Sequence, residues 1–133
     1  MILLDTHAAL WFATDNGLLG KRSQRTIDRA LEDDQLAVSV ISFWEITLLI
    51  AKRRVRSIDS AAETRDFILR AGIGELPLTG EIAILAGELD SLHGDPADRF
   101  IAATAIRHDA TLVTADEKLL RWRHSLRRQN AEL

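Results

Sequence analysis

Residues 2–13 run Ile2-Leu3-Leu4-Asp5-Thr6-His7-Ala8-Ala9-Leu10-Trp11-Phe12-Ala13: three apolar residues, the polar pair Asp5-Thr6, His7, then a second apolar run. Ile2 to Leu4 predicts a buried first strand that ends at Asp5-Thr6. Ala8 to Ala13, with Leu10, Trp11 and Phe12, predicts a short helix. The same order returns downstream. Leu36 to Ile41 alternates and is rich in β-branched residues, so it predicts a second strand. Ser42 to about Arg53 then predicts a strong helix. Between these units, Asp15-Asn16-Gly17 is turn chemistry. Ser23 to Leu31 is helical, with Ile27, Ala30 and Leu31 at i, i+3 and i+4. Further on, helices are expected at Ser60 to Ala71, Thr79 to Leu92, Pro96 to about His108 and Ala115 to Trp122. Ile73 to Leu78, cut short by Pro77, predicts a third strand, Ala110 to Thr114 a fourth, and Leu126 to Gln129 a last one. Strands alternating with helices require crossovers. The expectation is an α/β fold, one domain over 1–133, with a mostly parallel sheet of four to five strands flanked by helices on both faces.

Composition agrees with that expectation. A chain of 133 residues has a folded surface of roughly 7,000 Å² against about 21,600 Å² unfolded, so a core forms without staples. Cysteine is absent, which excludes disulfides, thiolate metal sites and a cysteine nucleophile. No apolar run reaches the ~18 residues of a membrane span, and no basic segment precedes Ile2 as in a signal peptide. A cytoplasmic setting with no membrane partner is expected. The net charge of −3 argues against a protein that merely coats nucleic acid, but not against an enzyme that touches it at one site.

Ligands of open parallel sheets bind beyond the carboxyl ends of the strands. Asp5 follows the first strand, Ser42 the second with Glu45 one turn in, and Thr114 and Asp116 the fourth. The helix leading into the fourth strand opens at Asp95-Pro96-Ala97-Asp98-Arg99. If its N-terminus points to the same edge, Asp98 joins Asp5, Glu45 and Asp116 on one rim. Each acid alone has an ordinary explanation, because acids cap helix N-termini. Ser42-x-x-Glu45 and Thr114-x-x-Glu117 fit capping boxes, and Asp95 before Pro96 fits an N-cap with proline at N1. Four together do not. Like charges ~4 Å apart repel by roughly 4 kcal/mol at an effective dielectric of 20, so such a cluster implies a cation. Oxygen-only ligands select Mg²⁺ or Mn²⁺ over Zn²⁺, and those ions suit phosphate chemistry.

Asp5-Thr6-His7-x-x-Leu10-Trp11, Ser39-x-x-Ser42-Phe43-Trp44-Glu45-Ile46, Asp95 to Ala105 and Leu112-Val113-Thr114-Ala115-Asp116 resemble, in order, the four acidic motifs of PIN-domain ribonucleases of the VapC toxin type. The resemblance covers residue 1 to about 120. It implies a Mg²⁺- or Mn²⁺-dependent endoribonuclease that leaves a 5′-phosphate and a 3′-hydroxyl. It implies that Asp5, Glu45, Asp98 and Asp116 are the catalytic, metal-holding acids, with Asp95 the helix cap and Thr6, Ser42 and Thr114 supporting. It also implies a homodimer, an RNA substrate and a small antitoxin encoded beside the gene. The sequence departs from the group at Ala97, where an aromatic is common, and at a basic end, Leu126-Arg127-Arg128-Gln129-Asn130-Ala131.

Outside the motifs, His7 invites a general-base reading or a hydrogen bond to the first helix. His93, His108 and His124 lack zinc-ligand spacing. Lys52-Arg53-Arg54-x-Arg56 reads as a solvated helix end, whereas Arg121, Arg123, Arg127 and Arg128 are candidate contacts to an RNA backbone. Trp11, Phe12, Phe43 and Trp44 are core or interface residues. The alternatives are a PIN-type RNA-processing nuclease without an antitoxin, and a non-catalytic, receiver-like Mg²⁺-binding domain. A receiver calls for two adjacent acids after the first strand, and here Thr6 follows Asp5.

Overall fold

The computed structural model describes residues 1–55 and 58–133. In chain order its elements are β1 (Ile2–Leu4), α1 (Thr6–Thr14), α2 (Lys21–Glu32), β2 (Leu36–Ser39), α3 (Ile41–Ala51), α4 (Ala61–Arg70), β3 (Gly74–Leu76), α5 (Gly80–Glu88), α6 (Pro96–Arg107), β4 (Thr111–Thr114), α7 (Glu117–Arg121) and β5 (Arg128–Asn130). The sheet order is β3-β2-β1-β4-β5, and every pairing is parallel. β1 therefore sits between β2 and β4, and the chain winds outward from it in both directions.

Successive strand residues point to opposite faces, and the register aligns like with like. Leu3 lies beside Ala37 and Leu112. This face packs on Ile82 and Ala86 of α5 and on Ile101, Ala102 and Ala105 of α6. Leu4 lies beside Val38 and Val113. That face packs on Ala8 and Ala9 of α1, Ile27 and Ala30 of α2 and Ile68 of α4. A smaller cluster of Leu10, Ile46 and Ile58 seats α3 against α1. The expected α/β layering is thus present, with a sheet parallel throughout. No helix among the described residues is long and apolar enough to cross a membrane.

Several junctions differ from the sequence-based expectation. β-Branching places Val40 and Ile41 in a strand, but Val40 is already helical (φ −57°, ψ −26°) and α3 starts at Ile41. The Ser39 hydroxyl accepts from the Ile41 N–H at 3.2 Å, so Ser42 caps nothing and is buried one residue inside the helix. At the other motif Asp116, not Thr114, caps α7, its side chain accepting from the Leu119 N–H. β5 begins two residues later than expected, because Leu126 turns into the core face beside α5 and α6. Asp5 caps α1, which therefore starts at Thr6 rather than Ala8. Asp95 caps α6 with Pro96 in its first turn. The basic run's Arg56 lies outside the described residues. Lys52 ends α3.

The residues after β5 turn back onto α2, whose N-cap Gly20 offers no side-chain acceptor. The Leu133 carbonyl oxygen accepts instead from Arg22 and Ser23 N–H, at 2.8 and 3.2 Å. A Cβ on Gly20 would fall 2.1 Å from the Leu133 carbonyl carbon, so only glycine permits this approach.

Candidate metal centre

The strand order changes direction between β1 and β4, and in open α/β sheets the crevice beyond such a switch point takes the ligand. Asp5 leaves β1 there and Thr114 ends β4. The two are joined directly: Thr114 Oγ1 donates to Asp5 Oδ2 and accepts from the Asp116 N–H at 3.0 Å. The other Asp5 oxygen, Oδ1, accepts from the Ala8 N–H at 2.8 Å. Asp5 is buried, and burial pushes its carboxyl up to about 6, against the opposing bonds from Thr114 and Ala8 and the charge of His7. The negative charge of Glu45 pushes it further in the same direction.

Glu45 arrives from the first turns of α3. Behind it, Thr6 Oγ1 donates to Ser42 Oγ at 3.0 Å in a buried bond that ties α1 to α3. Asp98 arrives from the first turn of α6. Its N–H donates to Asp95 Oδ1 at 3.2 Å, and its Oδ2 lies 2.7 Å from His93 Nε2. Burial raises the Asp98 carboxyl to about 6. The His93 bond opposes the rise, and the charges of Asp95, Asp116 and Glu45 add to it.

These groups line a cavity of about 290 Å³ with carboxylates from Asp5, Glu45, Asp95, Asp98, Asp116 and Glu132 and, among the described residues, no lysine or arginine. His7, Thr6 and Trp11 complete part of the wall, with His7 exposed. Ligand atoms of His93, Asp98 and Asp116 lie within 4.8 Å of one another, as do those of Glu45, Asp95 and Asp98, so Asp98 belongs to both groups. Helix capping accounts for one oxygen each of Asp5, Asp95 and Asp116. It does not account for Glu45 or Asp98, whose side chains cap no helix. A wall of six carboxylates with no lysine or arginine among the described residues that line it stores repulsion that a hard divalent ion would relieve, so the donor set fits such an ion.

Two residues beside the acids are not legible as such in the sequence. His93 lacks zinc-ligand spacing, yet it bonds Asp98 five residues on. The His93-Gly94-Asp95-Pro96 turn is its only local signal. Glu132 has none, because the return of the chain past β5 to α2 brings it there. Arg99, inside the third motif, does not enter the cavity. Its guanidinium donates to the carbonyls of Ala86, Gly87, Leu89, Leu92 and His93. It thereby ties off the end of α5 and the turn that carries His93.

The four arginines expected near nucleic acid divide. Arg128 donates to the carbonyls of Leu119, Trp122, His124 and Leu126. Arg127 pairs with Asp109 at 3.1 Å and bonds its carbonyl at 2.6 Å, at the N-terminal end of β4, away from the acids. Arg128 thus spends its guanidinium on backbone carbonyls of the fold, while the Arg127 side chain stays mostly exposed beside Asp109. Arg121, the last residue of α7, and Arg123 just after it remain exposed.

The PIN domain family model matches residues 2–124. The chain is 34% identical over 128 residues to Ribonuclease VapC22 of Mycobacterium tuberculosis (strain ATCC 25618 / H37Rv), covering 92% of each. In fold it is similar to VapBC2 of Rickettsia felis bound to a promoter DNA fragment, with a TM-score of 0.73 at 20% identity and 98% of each chain covered. DNA-bound VapBC of Salmonella typhimurium gives a TM-score of 0.67 at 17% identity, with 96% of each covered. A family model over nearly the whole chain, a relative this similar along its length, and an acidic crevice at the switch point of the sheet agree: the chain belongs to the PIN-domain family, among its VapC-type members.

Proposed function

We propose that this chain is a Mg²⁺- or Mn²⁺-dependent endoribonuclease, the toxin of a pair neutralised by a small antitoxin, acting in the cytoplasm as a homodimer. The observation that supports it best is the cavity wall of six carboxylates, with no lysine or arginine among the described residues that line it, set at the switch point of the sheet. Asp5, Glu45, Asp98 and Asp116 would hold the ion, with Asp95 at the edge of the group. When bound, a divalent ion polarises a phosphoryl oxygen and lowers the pKa of a water beside it. The chain's own residues do the positioning. Thr114 fixes Asp5 and Asp116 relative to each other. The Thr6–Ser42 bond sets the helix that carries Glu45, and His93 orients Asp98.

Cleavage of total RNA by the purified chain, with Mg²⁺ or Mn²⁺ and then with EDTA, tests this. Wild type should cut only with metal. Asp98→Asn should lose at least about a hundredfold in rate while melting as a folded protein. An active Asp98→Asn would sink the assignment. Inhibition by the product of the adjacent small gene, purified separately, tests the toxin reading.

A further inference from the structure

A second cavity, of about 400 Å³, adjoins the acidic one and has the opposite charge. It is lined by Ser91, His93, Lys118, Arg121, Trp122 and Arg123. His93 links the two: it lines this cavity, and its Nε2 lies 2.7 Å from Oδ2 of Asp98, which lines the acidic one. Among the described residues no carboxylate lines the basic side, and Lys118 and Arg123 make no ion pair. Arg121 has only Glu117, 3.6 Å away, with both side chains more than three-quarters exposed, a contact that is weak and readily exchanged.

A cationic helix end alone would be an ordinary surface. This one is built on a fixed frame. Trp122 Nε1 donates to the Asp90 carbonyl at 2.8 Å, and its ring stacks on His124 at 4.3 Å. Arg99 holds the 89–93 turn from one side, and Arg128 holds the 119–126 segment from the other. Three cations are thus presented at one place on a chain whose net charge is −3.

We propose that this cavity is the subsite for a backbone phosphate flanking the one that enters the acidic cavity, an inference that rests on the nuclease reading above. A polyanion entering a wall of carboxylates meets repulsion, and a cationic pocket one side chain away offsets it. The direct His93–Asp98 link between the two cavities favours a continuous strand over an acidic protein segment. Consecutive phosphates on a strand must occupy neighbouring places, and a peptide carries no such constraint. Phosphate contacts of this kind hold the strand without reading its sequence.

The test uses fluorescein-labelled single-stranded oligoribonucleotides of two unrelated sequences, bound in Ca²⁺, with cleavage measured separately in Mg²⁺ and Mn²⁺. Lys118→Ala/Arg123→Ala should weaken binding of both RNAs at least tenfold. It should also lower the salt slope of the affinity by about 0.7 for each phosphate no longer neutralised. In cleavage it should raise KM with kcat within twofold. Arg127→Ala should bind as wild type. Equal RNA affinity in the double variant would overturn the proposal. So would a wild type that binds no RNA but binds a polyglutamate peptide through these residues. If RNA binds and the double variant loses it, yet wild type cuts nothing with either metal, the subsite stands and the nuclease reading fails.

Discussion

Asp5 uses its two oxygens for different things. Oδ1 caps α1 through the Ala8 N–H, and Oδ2 takes the Thr114 hydroxyl proton in a hydrogen bond. The capping and metal readings of this residue are therefore compatible, since each carboxylate oxygen keeps a further lone pair. Thr114→Val removes the donor to Asp5 and the acceptor of the Asp116 N–H together. It should cost about 1–3 kcal/mol in urea unfolding and slow cleavage about tenfold, whereas Thr114→Ser should restore both. Titration follows from burial. The folded chain holds the Asp5 proton up to about pH 6, while an unfolded aspartate releases it near 4. Between these values the folded state binds more protons than the unfolded state. Asp5 therefore lowers metal-free stability as pH rises through the window, by about 1.4 kcal/mol per pH unit. Its effect is absent below about 4 and complete above about 6, and Asp98 acts in the same direction. In EDTA, Asp5→Asn should be more stable than wild type at pH 7.5, and the difference in urea midpoint should vanish by pH 4.

At the scale of elements, two arginines replace missing caps. Arg99 gathers five carbonyls at the end of α5, and Arg128 four around the end of α7. Helix ends leave such carbonyls unpaired, and removing a charged donor strands several at once. Arg99→Ala and Arg128→Ala should each lower stability by about 2–3 kcal/mol. Arg127→Ala, whose side chain is mostly solvent-exposed, should change it by less than about 0.5 kcal/mol. Thermal and urea melts of the three variants check this order. The same scale explains where element boundaries depart from the sequence pattern. The capping-box pattern asks only for a hydroxyl and an acid three residues on. Ser42-x-x-Glu45 and Thr114-x-x-Glu117 satisfy it, yet the backbone turns helical at Val40 and caps through Asp116. Local patterns do not contain those dihedral angles, which the partner strands and helices impose.

At the scale of the molecule, one crevice gathers acids from β1's end, α3, α6, the start of α7 and the segment after β5. Their repulsion opposes folding, so an ion that binds only the folded chain must stabilise it. At a free Mg²⁺ concentration a hundred times its Kd the gain is about 2.7 kcal/mol, which differential scanning calorimetry reads as a higher Tm at pH 7.5. The gain should shrink as pH falls through 6, where Asp5 and Asp98 take up protons in competition with the metal. Asp98→Asn should show less of it at every pH.

The alternation of short apolar runs with helical segments determined the α/β class, because the runs that become β1, β2 and β4 are short, apolar and buried, whereas β3 and β5 at the sheet edges carry a weaker signal. The position of an acid directly after β1, and of others at the openings of α6 and α7, was equally plain from residues 5, 95, 98 and 116. The tertiary structure alone decided the rest. The order β3-β2-β1-β4-β5 set which strand ends are neighbours, and so made Asp5 and Thr114 partners across 109 residues. The turn held by Arg99 brought His93 to Asp98, and the return of the chain to α2 brought Glu132 to the wall. The same packing turned the Arg128 guanidinium onto four backbone carbonyls. Periodicity reports which face of an element is buried. Which elements meet depends on long-range pairing, and no local stretch of residues encodes that.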